Sequence, residues 1–280
     1  MSASLENILK RDRAIVLCGL GFLTLLAWAY LFYQAHQMNN MPMDGIQMKM
    51  PMDGMDMKMP MGMDMAMPQM RTWQPLDVLL IFIMWAVMMV GMMLPSAAPM
   101  ILLFAAVSRK RQEQRRPFVS TGTFVLGYLA LWTGFAVAAT LAQWRLHTAA
   151  LISPTMVSTS AALGGGLLIA AGIFQWTPIK HACLSHCRFP LDFITTRWRE
   201  GKKGAFLMGV SHGAYCVGCC WVLMSLLFVA GVMNILWIAV IAAFVLVEKV
   251  APAKISPWVS RVAGVALIVW GSWLAFLGPR

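Results

Sequence analysis

Four groups of side chains in this sequence have types and spacings that could do chemistry. The first is a methionine repeat: residues 38–70 hold 14 of the chain's 25 methionines. A nine-residue period places Met41 and Met43 in one unit, then Met50, Met52, Met55 and Met57, then Met59, Met61, Met63, Met65 and Met67. A thioether is an uncharged soft ligand that needs no deprotonation and survives an oxidising compartment, and soft ligands select Cu(I) over hard cations. Met-x-Met spacing lets two or three sulfurs close on one ion, while Asp44, Asp53, Asp56 and Asp64 concentrate cations nearby. The competing reading is an adaptable apolar surface for a lipid or protein partner. Such surfaces are usually amphipathic helices, and every unit here carries a proline and a glycine, which oppose a helix.

The second group is a stripe within one apolar segment: Met208, His212, Cys216, Cys219 and Cys220. Steps of four, four and three or four return to one face of a helix. Three thiols and an imidazole on one face suit Cu(I), which takes two or three such ligands; zinc is the weaker candidate. The plain alternative is packing, because free cysteine behaves as a small hydrophobe. The third group is Cys183 and Cys187, spaced by one helical turn and flanked by Lys180, His181, His186 and Arg188. The fourth is Met84, Met88 and Met92 at strict i+4 spacing, a sulfur ladder of which Met88 and Met92 are the candidate ligands.

The elements that must position these groups follow from composition. The 280 residues are 60% hydrophobic and 12% charged, against about 45–50% and about 25% in soluble domains. That excludes an ordinary globular domain, a disordered chain and a disulfide-stapled module. The expected fold is an all-α, polytopic integral membrane helical bundle of about seven transmembrane helices. The spans are read at 14–33, 76–96 with a continuation to 108, 118–142, 160–178, 204–230, 235–248 and 259–277. Pro95 and Pro99 should kink or end the second span. The first apolar run is too long for a cleavable signal, so it is read as an uncleaved helix.

Charge sets the orientation. Of the 22 basic residues, 17 fall on one side of these spans, which places the N-terminus in the cytoplasm and the methionine repeat outside. Lys180 and Lys249 are counted among the cytoplasmic bases, Cys183 and Cys187 mark the cytoplasmic end of the fourth span, and Glu248 with Lys249 reads as a local interfacial ion pair. The net charge of +11 then needs no nucleic acid partner. The expected organisation is an anchor helix over 1–34, an external Met-rich loop over 35–72, and a six-helix metal-binding domain over 73–280. The expected location is the bacterial inner (cytoplasmic) membrane, with the loop on the periplasmic side.

Several separated motifs occur in order: Met88-Met89, Met92-Met93-Leu94-Pro95-Ser96, Gln175-Trp176-Thr177-Pro178-Ile179-Lys180, Cys183-Leu184, Cys187-Arg188, Gly218-Cys219-Cys220-Trp221, Gly231-Val232-Met233-Asn234 and Glu248-Lys249. Over about residues 73–275 this pattern resembles a bacterial family of unknown function, labelled predicted metal-binding integral membrane protein. The resemblance implies metal binding and supplies no reaction; the repeat at 38–70 lies outside it.

No catalytic constellation, Walker motif or aspartyl-phosphate motif is visible, so the expectation is a non-enzyme. The leading expectation is a Cu(I)-binding membrane protein. It would capture copper on the external loop, pass it by Met88 and Met92, and hold it on the Cys/His/Met stripe. The alternative is an accessory or assembly subunit that delivers copper to a larger copper-containing membrane enzyme. The expected partners are membrane lipid, copper ions, and such an enzyme or another copper chaperone.

Overall fold

The computed structural model describes residues 2–39, 74–114, 119–148, 161–252 and 255–277. The methionine repeat, with candidate ligands Met41 through Met67, lies outside the described residues. Among those described there are ten helices and no strand: α1 (Ser2–Asn39), α2 (Pro75–Glu113), α3 (Thr121–Thr148), α4 (Ala161–Phe174), α5 (Pro178–Arg188), α6 (Pro190–Arg197), α7 (Gly201–Ser225), α8 (Leu227–Ala230), α9 (Ile235–Val250) and α10 (Ser256–Leu277).

Five of these stretches are long and apolar enough to cross a membrane: Arg13–Gln37, Pro75–Glu113, Thr121–Thr148, Gly201–Ala230 and Ser256–Phe276. α4 and α5 pass the same test only as a pair, bent by 64° at the break between them. The short run expected to be a seventh span is α9, whose 16 residues reach only about 24 Å at 1.5 Å per residue. Hydropathy therefore located the helices, while the fourth expected span is two helices.

The break has local causes. Thr177 Oγ1 accepts a hydrogen bond from Lys180 N (3.3 Å), capping α5, and Pro178 occupies its first turn, where its missing N–H costs nothing. Pro95 and Pro99 do not end α2, which is helical through both. Pro95 has no N–H to give the carbonyl of Gly91 one turn back. Trp28 Nε1 of α1 supplies that bond instead, at 3.3 Å.

Glycines bring two helix pairs into close contact. On α4 and α10, a methyl at Gly165 would come 2.6 Å from the Gly271 carbonyl, and one at Gly172 would come 2.7 Å from that of Gly264. The two pairs are seven residues apart on both helices, so the contact repeats along one seam. On α3 and α7, Gly127 faces the backbone of Phe206, and Gly209 faces that of Phe124. This second contact sets the stripe of α7 directly against Tyr128.

Candidate metal centre

On α7 the predicted stripe is real in its geometry. Met208, His212, Cys216, Cys219 and Cys220 are all buried, as is Met224 one turn further on. The helical period gathers them on the face that packs against α3 and α5.

The third group belongs to the same place. The bend after α4 lays α5 along α7. Cys183 Sγ sits over Gly218, where an added methyl would come within 2.8 Å of the sulfur. Cys187, like Cys183, packs against the buried core that contains Cys216, Cys219 and Cys220. Five cysteines from two helices thus form one cluster. The pair Cys183 and Cys187, expected as a separate station, lies on a helix that packs against α7. All five thiols are free.

Cys216 is the most closely attended of them. Lys249 Nζ on α9 donates to its sulfur at 3.0 Å and to Ser96 Oγ on α2 at 2.8 Å. Tyr128 Oη stands 3.1 Å from the same sulfur and donates to the Met93 carbonyl at 3.0 Å. The Cys219 and Cys220 thiols donate to the Cys216 carbonyl at 3.1 Å and 2.8 Å.

One turn away, His212 is only 2% exposed. Its ring is boxed by Phe124, Tyr128 and Phe193, with centroids 5.7–6.1 Å away, and its Nδ1 has no hydrogen-bond partner. A buried imidazole nitrogen left unpaired is uncommon in a settled core and is the form in which histidine ligates metals. His181 and His186, which flank the α5 cysteines in sequence, are placed differently. His186 stacks on Tyr215 at 4.1 Å between centroids and bonds the Ala182 carbonyl. Met84, Met88 and Met92 are buried on α2, together with Met89 and Met93, in the core that also contains the thiols.

Two expectations are corrected here. Lys180 and Lys249, read as cytoplasmic loop bases, are inside the bundle, at 0% and 8% exposure. Glu248 and Lys249 are not an ion pair with each other. Glu248 accepts from Lys180 Nζ at 2.6 and 2.8 Å and from Ser260 Oγ at 2.6 Å, and Lys180 also donates to Gln175. Consecutive residues of a helix do not face one another, so these two side chains serve two different sites.

As they stand, no three His, Cys, Asp or Glu side chains among the described residues form a group that could hold a metal ion. The thiols are neighbours on two packed helices, and a site made from two of them is the smallest that they could supply. A pair is sufficient for a soft ion of low coordination number and insufficient for tetrahedral zinc.

A family model described as PpoB2, copper chaperone, matches residues 82–274. No curated protein matches the chain, and no solved structure matches it. The matched stretch carries all five clustered cysteines with Ser96, Tyr128, His212 and Lys249, and covers well over half of the sequence; the protein belongs to the PpoB2 copper chaperone family.

Proposed function

We propose that this protein is a membrane-embedded Cu(I) chaperone. The methionine repeat collects the ion outside, the buried thiol cluster between α5 and α7 holds it, and a copper-requiring partner receives it. The observation that carries this reading is the packing of α5, with Cys183 and Cys187, against the buried Cys216, Cys219 and Cys220 of α7. Two thiolates from two helices can bind a linear Cu(I), and the additional thiols beside them give the ion successive ligands for exchange. His212 and the buried α2 methionines, Met88 and Met92 among them, are neutral donors that complete a third position without adding charge.

The family description supports hand-over to a client more than independent pumping, and the sequence contains no nucleotide-binding motif to drive a pump. Copper is cargo in this account, and the protein performs no reaction on it.

The test is retention against a competing Cu(I) chelator in detergent, without oxygen. The native chain keeps its copper, and Cys187→Ser with Cys216→Ser releases it. Equal retention by both would overturn the assignment of the cluster. Co-isolation of a copper-containing oxidase in a gentle detergent would identify the client.

A further inference from the structure

The buried charges of the bundle do not sum to zero. Glu248 answers Lys180 through two contacts of 2.6 and 2.8 Å, and that pair is closed by Ser260. Lys249 is also buried, but its contacts are a hydroxyl, Ser96, and a sulfur, Cys216. Its ammonium therefore stands against the thiol cluster with no carboxylate to neutralise it among the described residues.

We infer that Lys249 sets the charge of the cargo: the cluster is built for a monovalent soft cation and rejects divalent ones. This inference rests on the copper-chaperone reading and specifies its site. Two thiolates, one ammonium and one monovalent ion sum to zero. The same two thiolates with a divalent ion leave a net positive charge in a medium of low dielectric, where uncompensated charge is strongly disfavoured. A third thiolate would restore neutrality for a divalent ion, but no such three-ligand group stands ready among the described residues. Repulsion from Lys249 also acts on each unit of cargo charge, so it opposes a divalent ion twice as strongly as a monovalent one.

Lys249 has a second effect that acts before the metal arrives. Its ammonium donates to the Cys216 sulfur at 3.0 Å, so the entering ion finds that ligand already oriented. Lys249 is thus a positioning and selectivity residue; the ligands are the sulfurs.

The experiment loads the detergent-purified full chain with equimolar silver nitrate and cadmium nitrate in chloride-free buffer, desalts it, and counts each metal by mass spectrometry. The native chain takes Ag(I) and excludes Cd(II). Lys249→Met moves the Cd/Ag ratio upward by about two to three orders of magnitude, the span expected from removing one charge about 4–5 Å from the ion in an effective dielectric of about 20. Lys249→Arg keeps the native ratio because it keeps the charge. Should Lys249→Met fail to fold, Lys249→Gln carries the test, since its amide can still donate to Ser96 and Cys216. A Lys249→Met or Lys249→Gln chain that loses silver without gaining cadmium would show a merely structural lysine and overturn the inference. A native chain that takes silver with an unchanged ratio in the variants overturns it while leaving the copper reading standing. A native chain that takes no silver overturns the copper reading itself.

Discussion

Lys180 and Glu248 form a two-contact ion pair with side chains 0% and 3% exposed, and it ties α5 to α9 behind the thiol cluster. α5 is a short helix of 11 residues with little apolar surface of its own. Lys180, Thr177 and the Cys183–Gly218 contact fix where it lies, and so fix where Cys183 and Cys187 point.

Removing one partner of that pair leaves an unpaired buried charge, which typically costs about 3–5 kcal/mol. Lys180→Met should therefore lower the detergent melting temperature markedly. Lys180→Met combined with Glu248→Gln should recover much of the loss, because no charge is then left unpaired. A double variant no more stable than the single one would contradict this account of the pair.

The contact between α3 and α7 predicts a different failure. A methyl at Gly209 would meet the backbone of Phe124, and one at Gly127 that of Phe206, so neither can be accommodated by turning a side chain. Gly209→Ala should destabilise by about 1–3 kcal/mol, as overpacking does, and should push Tyr128 away from Cys216. Gly134 has open space around its Cβ position, so Gly134→Ala is the control that should leave both stability and copper retention unchanged.

Gly218→Ala separates the site from the fold. Its methyl would contact only Cys183, with the sulfur 2.8 Å away, and a cysteine can rotate. The melting temperature should change by only a few degrees, in keeping with a loss below about 1 kcal/mol. Transfer of Cu(I) from the loaded protein to an excess of chelator should change several-fold in rate. An unchanged rate would mean that Cys183 takes no part in exchange.

Much of this was legible in the sequence because periodicity and hydropathy report local helix geometry. The α7 stripe was found from its spacing, since residues three and four apart must share a face whatever the tertiary structure. The role of α5 was hidden. Thr177-Pro178 announces a helix start, but nothing local says that the new helix turns 64° and lies on α7, and the nearby Lys180 and Arg188 gave the segment the composition of a loop. Lys249 was misread for a related reason. Glu248 beside it offered an obvious partner by sequence, whereas the true contacts, Ser96 and Cys216, are 153 and 33 residues away. Tyr128 carries no signal at all, and Ser96 stands only inside a motif that gives it no role, because a lone hydroxyl in an apolar segment has no spacing to read.

The methionine repeat makes a kinetic prediction. Deleting residues 38–70 should slow copper acquisition at low external copper and leave the final loading of the thiol cluster intact once copper is abundant. The check is a time course of metal content at low and at high copper. A deletion that abolishes loading at every concentration would make the repeat the site itself.

The central claim is that the α5–α7 thiols hold the copper, and it is tested most directly by metal analysis of the chain lacking 38–70, purified without oxygen from copper-fed cells. The account predicts that this protein retains copper after desalting and that Cys187→Ser with Cys216→Ser, made in the same background, removes it. Copper retained equally by the serine variant, or absent from the deleted chain with all five thiols intact, would contradict it.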